Sequence, residues 1–150
     1  MNWPLFSDEY FMAEALKEGL KAVEKDEVPV GAVIVADNRI LARAHNLTET
    51  LNDVTAHAEI MALTAASNAM GAKYLPECTL FVTVEPCVMC AGALFWAQIG
   101  RIVYGAFDPK RGYSLIKDQI LHPLTQVKSG ILENECAQLM RDFFQKKRTF

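Results

Sequence analysis

The sequence predicts an α/β fold, with a mixed β-sheet carrying helices on both faces. Three observations lead there. Residues 32–45 hold two strand-like runs separated by a two-residue turn signal, the pattern of a hairpin. Residues 55–105 then alternate helix, strand, helix, strand, and strands joined through helices form sheets with the helices packed against them. One further helix precedes the hairpin and another closes the chain. A length of 150 residues suits one domain, residues 1–150, around one substantial core.

The elements follow in order. Ser7 can cap a helix running to about Lys25, with Asp8 and Glu9 in its first turn, where acids suit the positive helix end. Met12, Leu16, Leu20 and Val23 fall along one face of it. Glu27-Val28-Pro29-Val30-Gly31 is a break, and Ala32–Ala36 reads as a buried strand. Asp37-Asn38 is a turn, and Arg39 to about His45 the return strand. Residues 46–54 form a polar loop before a helix capped by Thr55 and reaching about Met70, where Gly71 ends it. Thr79–Val84 is a third strand, rich in β-formers. Pro86 suits the first position of the next helix, because its missing N–H would have no intrahelical partner there. That helix covers Cys87 to Ala97, and Arg101–Gly105 is a fourth strand. Residues 107–122 are irregular, and a fifth strand is expected near Val127. Glu133–Lys147 is a helix with Cys136, Leu139, Met140, Phe143 and Phe144 on its apolar face.

Composition narrows the function. Hydrophobic residues make up 51% of the chain, yet no continuous apolar run approaches the roughly 20 residues of a membrane span. The N-terminus lacks the charged-then-apolar pattern of a signal peptide. Of four cysteines, Cys78 and Cys136 stand apart from any motif and read as buried free thiols, so the expected compartment is the reducing cytoplasm. The net charge of −3 argues against nucleic acid, but its distribution does not. Residues 1–100 carry 13 acidic and 6 basic side chains, and residues 101–150 carry 5 and 9. The basic ending Lys146-Lys147-Arg148 suits either a solvated helix C-terminus or a phosphate-contacting tail.

The chemistry concentrates in Glu85-Pro86-Cys87-Val88-Met89-Cys90. Positions i and i+3 share a helix face, so Cys87 and Cys90 can present two sulfurs to one point. A helix N-terminus favours thiolates, as does a metal. His57, thirty residues upstream, can supply a third donor. Two thiolates, one imidazole and an open fourth position make the pattern of a catalytic zinc. Glu59 lies two residues from His57, where a carboxylate can border the same pocket and move protons to and from an activated water. A redox Cys-x-x-Cys pair would not need His57 and Glu59. A closed structural zinc site would need a fourth ligand, and His45, His122, Cys78 and Cys136 all lack ligand spacing to the first three.

His57-Ala58-Glu59 followed by Pro86-Cys87-Val88-Met89-Cys90 resembles the zinc-dependent nucleobase deaminase signature, H-x-E then P-C-x-x-C. Within that superfamily of cytidine and deoxycytidylate deaminases, the chain resembles the bacterial tRNA-specific adenosine deaminases. The similarity extends through residues 29–33, Asn46, residues 53–60, 84–93, 99–106, 130–132 and 142–144, nearly the whole chain. The resemblance implies a three-layer αβα sandwich around a mixed five-stranded sheet, with both motif helices starting at the zinc. It implies one Zn²⁺ per subunit held by His57, Cys87 and Cys90, and Glu59 as the catalytic proton shuttle. It also implies Asn46 at the purine edge, Val30 and Ala58 lining the base pocket, Asp108 and Lys110 on the sugar and phosphate, and a nucleotide contact from Phe143 or Phe144. Each has a plainer alternative: turn chemistry for Asn46, core packing for Val30, Ala58 and the phenylalanines, a surface turn for Asp108 and Lys110. The implied activity is hydrolysis of wobble adenosine to inosine in a tRNA anticodon loop, by a cytoplasmic homodimer. Residues 109–114 depart from the family's longer glycine-rich stretch, and Phe95-Trp96-Ala97 resembles free-base guanine deaminases. Guanine deamination is therefore the rival activity, and a zinc-stapled RNA-binding module the rival without catalysis.

Overall fold

The computed structural model describes residues 2–148. Its described residues form five strands and four α-helices in the order α1 (Asp8–Glu24), β1 (Gly31–Ala36), β2 (Arg39–His45), α2 (Ala58–Met70), β3 (Thr79–Val84), α3 (Val88–Ala97), β4 (Arg101–Ala106), β5 (Gln126–Ser129) and α4 (Glu133–Arg148). The sheet order is β2-β1-β3-β4-β5. β1 is antiparallel to β2 and β3, while β3, β4 and β5 run parallel, so the sheet is mixed as expected. Asp37 and Asn38, both with positive φ, close the β1–β2 hairpin in the left-handed conformation that fits the twist of the strands.

Side chains alternate across the sheet and build two cores. Ala32, Ile34, Leu80, Val82, Ile102 and Tyr104 face α2 and α3, meeting Ala62, Ala66, Ala91 and Leu94. Val33, Val35, Phe81 and Val103 face the other way, against Phe11, Met12 and Ala15 of α1 and Cys136 of α4. Period-two burial of this kind requires a sheet covered on both sides, and the three-layer sandwich follows.

Several details differ from the sequence-based expectation. The buried stripe of α1 is Phe11, Met12, Ala15, Gly19 and Ala22, and Leu20 is exposed. Backbone proximity decides this: a Cβ on Gly31 would strike the Ala15 carbonyl and the Gly19 N–H, so β1 lies against the small residues of α1. α2 is capped by His57 rather than Thr55. The Thr55 hydroxyl and N–H both donate to Asp53 Oδ1, each at 2.8 Å, which commits that threonine to the preceding turn. Pro86 lies one residue outside α3, whose N-cap is Cys87. On α4 only Cys136 is fully buried, and Phe144 is exposed. Gly71 ends α2 at φ 64°, as expected. Cys78 and Cys136 are buried free thiols.

Candidate active site

The site is built where α2 and α3 begin. His57 and Cys87 are the N-cap residues of those helices, and Cys90 lies in the first turn of α3. His57 Nδ1 stands 3.5 Å from Cys90 Sγ and 3.7 Å from Cys87 Sγ, and all three donor atoms lie within 4.8 Å of one another. This donor set could hold a metal ion, and both helix N-termini direct partial positive charge at it.

Electrostatics within the cluster separates the two thiols. Contacts with the Cys90 thiol and with His57 bring Cys87 down to about 4, so it stands as a thiolate. Cys90 faces that thiolate from a buried position and is held well above the usual thiol range. The same thiolate raises His57. A cation between the sulfurs would favour the deprotonated form of both. Glu59, in the first turn of α2 two residues after His57, is 4% exposed, and burial pushes its carboxyl up to about 7. A carboxyl poised near neutrality beside three metal donors is suited to taking and returning protons.

The remaining sequence candidates lie on other segments of the fold, outside the donor cluster. Asn46 is buried at the end of β2; its N–H donates to the Val30 carbonyl at 3.1 Å, and its Oδ1 accepts from the Thr48 N–H at 3.3 Å. Leu47 N–H reaches the Ala56 carbonyl at 3.0 Å, which ties this turn to the segment entering His57. Val30 is half-buried, and Ala58, the first residue of α2, is buried in the core between that helix and the sheet. Asp108 uses its Oδ1 to accept from the Lys110 and Arg111 N–H groups, both at 3.0 Å, and Lys110 is exposed at the resulting turn. Phe144 packs edge-on against Phe143 near the end of α4, where Lys147 pairs with Asp26 at 2.7 Å.

Two buried carboxylates that sequence reasoning left without a role organise these loops. Glu27 accepts from the Glu49 N–H at 3.1 Å, the Thr50 N–H at 2.6 Å and the Thr50 hydroxyl at 2.7 Å. Burial acts to raise its pKa, but these donors hold it below the usual range. Glu85 accepts from the Asp108 N–H at 3.1 Å and the Ser114 N–H at 3.0 Å. The available signal was an acid embedded in an apolar setting, at Glu27-Val28-Pro29 and after the strand Thr79–Val84.

The MafB19-like deaminase family matches residues 6–148. The chain is 46% identical to a tRNA-specific adenosine deaminase of Bacillus subtilis, over 94% of this chain and 91% of that one. It is 47% identical to the enzyme so named from Agrobacterium fabrum, over 93% and 95%. The chain belongs to the tRNA-specific adenosine deaminase family. A solved structure from work on A-to-I editing by tRNA:A34 deaminases superposes on this deaminase with a TM-score of 0.81 at 47% identity, covering 87% of this chain and 98% of that one. A guanine deaminase from Nitrosomonas europaea matches with a TM-score of 0.78 at 23% identity, over 91% and 84%, and shares the fold.

Proposed function

We propose that this deaminase converts adenosine to inosine at the first anticodon position of tRNA, with one Zn²⁺ held by His57, Cys87 and Cys90. The observation that carries the reading is the buried Glu59 carboxyl beside that donor triangle. The donor spacing suits zinc. With Zn–S near 2.3 Å and Zn–N near 2.05 Å, a tetrahedral centre separates N from S by about 3.6 Å. The observed separations are 3.5 and 3.7 Å. The relatives' names and the shared fold supply the substrate class.

The residues then divide the work. Bound zinc supplies a Lewis acid that lowers the pKa of an attacking water to about 7. Glu59 takes a proton from that water and delivers it to ring N1, which makes C6 electrophilic. Oxygen adds at C6. Glu59 then carries the proton of the added hydroxyl to the amino group, the C6–N bond breaks as the C6=O forms, and ammonia leaves inosine behind. Asn46 offers an amide to the base edge, with Val30 and Ala58 forming the pocket wall. Asp108 and Lys110 engage the sugar and phosphate, and Phe144 offers a ring to a flanking nucleotide.

The test is to offer purified protein tRNA, free adenosine, cytidine and guanine in parallel, with zinc measured on the same preparation. Inosine should form in the anticodon, and zinc should be stoichiometric with chain. Ammonia release from guanine with tRNA left unchanged would replace this reading with guanine deamination. Zinc-free protein that makes inosine normally would remove the metal from it.

A homodimer accords with the outer surface of α3, where Val88 and Met89 are part-exposed and Trp96 is 75% exposed. Sedimentation at micromolar concentration should give twice the chain mass, and Trp96→Glu should shift it toward one; a wild-type monomer would end the idea while leaving the chemistry intact. A tRNA substrate accords with a cytoplasmic enzyme, as do the buried free thiols at Cys78 and Cys136.

A further inference from the structure

Glu85 follows β3 directly, two residues before Cys87, and its side chain reaches the loop after β4. One oxygen accepts from the Asp108 N–H at 3.1 Å, the other from the Ser114 N–H at 3.0 Å. Its own N–H donates to the Ala106 carbonyl at 2.8 Å, so the residue is fixed at its backbone too. It is 3% exposed. The loop wraps the carboxylate closely: a Cβ on Gly112 would strike the Glu85 carboxylate and the Asp108 carbonyl. Two backbone contacts complete the seam, the Tyr113 N–H on the Pro86 carbonyl at 3.0 Å and a bridge between Cys87 and Gly112. Between the two anchored N–H groups lies a turn closed by the Asp108 side chain, with Lys110 and Arg111 exposed on it.

No cation among the described residues pairs with the Glu85 oxygens; a buried carboxylate is costly unless its lone pairs are satisfied, and here backbone N–H groups from both ends of one loop satisfy them. We propose that Glu85 is a positioning residue for RNA, registering the cationic turn 108–111 against the metal centre through the paired Glu85 and Gly112 contacts. The inference rests on the reading of the substrate as tRNA. In its absence Lys110 and Arg111 would still carry charge, but at no fixed distance from the reacting base. The clamp thus acts on how RNA is held, and the donors and Glu59 act on the chemistry.

The experiment uses the zinc-loaded full chain and the variants Glu85→Gln, Gly112→Ala, Lys110→Ala and the double variant Glu85→Gln/Lys110→Ala. Glutamine keeps the shape but presents an N–H₂ to one of the two loop donors, and an alanine Cβ displaces the carboxylate by an independent route. Trypsin cleavage after Lys110 or Arg111, without RNA, should accelerate about tenfold or more in both single-site clamp variants, well below their unfolding temperatures and at unchanged zinc content. With an anticodon stem-loop, KM should rise about tenfold while kcat changes far less. Lys110→Ala should add little in the Glu85→Gln background, because the two act as one unit. Unchanged nicking in both variants overturns the clamp. So does a fall in kcat that tracks zinc loss, or full additivity with Lys110→Ala, since either would mark a structural role alone. Faster nicking in the variants of a wild type that leaves the stem-loop unconverted overturns the RNA reading instead.

Discussion

Glu59 shows what a single side chain contributes. It is buried in the first turn of α2, two residues after His57, and its carboxyl is pushed up to about 7 by desolvation. Glu59→Gln preserves the shape and abolishes proton transfer. The expected variant keeps its zinc and its RNA affinity, and loses about 10²–10⁴-fold or more in single-turnover inosine formation. Near-normal turnover in a zinc-loaded Glu59→Gln protein would assign the proton transfers elsewhere. Glu59 and the three donors could be located from sequence because their chemistry is written in local spacing, His57 to Glu59 and Cys87 to Cys90. Glu27 and Glu85 could not. Apart from the Thr50 hydroxyl on Glu27, their partners are backbone N–H groups 22 to 29 residues away, and any residue type supplies a backbone N–H. The Asp108 carboxylate was likewise open between substrate contact and turn, and Oδ1 is used by the turn.

Among the elements, sequence patterning located the four α-helices and five strands but neither the short 3₁₀ turn Tyr113–Leu115 nor the depth of each contact. The stripe Met12, Leu16, Leu20 and Val23 is a sound helical pattern, yet α1 packs through Ala15, Gly19 and Ala22, because Gly31 brings β1 onto its backbone. Gly105 marks a second close approach: a Cβ there would collide with Cys136 Sγ, which is why α4 can rest on β4 and why that thiol is sealed from solvent. Cap assignments failed for a related reason. Thr55 has the right side chain for an N-cap, but Asp53 two residues earlier competes for it. Cys87 and His57 take the cap positions without any side-chain cap bond, which leaves their donor atoms free to converge.

Across the whole molecule, the layers are joined at the lower end of the sheet by a bidentate pair. Arg101 at the start of β4 donates to Asp8 at 2.8 and 2.7 Å, and Lys128 of β5 adds a contact at 3.2 Å. The Arg101 hydrogen bonds hold Asp8 below its ordinary carboxyl value, against some opposing desolvation. A folded pKa lower than the unfolded one means stability that is fully present above about 3.9. That stability is lost as pH falls through the folded value. Asp8→Asn should therefore lower unfolding stability by roughly 1 kcal/mol at pH 7. The gap from wild type should narrow as pH drops below 4, and thermal or urea unfolding at both pH values will show it. An equal gap at pH 7 and pH 3 would mean the pair contributes through packing rather than charge. The arrangement of layers followed from alternating helices and strands, but this tie did not, because 93 residues separate Arg101 from Asp8.

The loop gripped by Glu85 is in effect a closed ring, with Asp108 and Ser114 as its two fastenings and residues 109–111 hanging beyond them. Doubling the length of such an overhang costs only about 0.6 kcal/mol in closure entropy. Insertions and exchanges at the tip can therefore accumulate while β3, α3 and the thiol pair stay as they are. Gly112 is the exception, fixed by the carboxylate behind it. This deaminase thus has a stretch whose sequence can drift at little cost to the His57, Cys87 and Cys90 cluster, and residues 109–114 are where it departs from the longer glycine-rich stretch of the family it resembles.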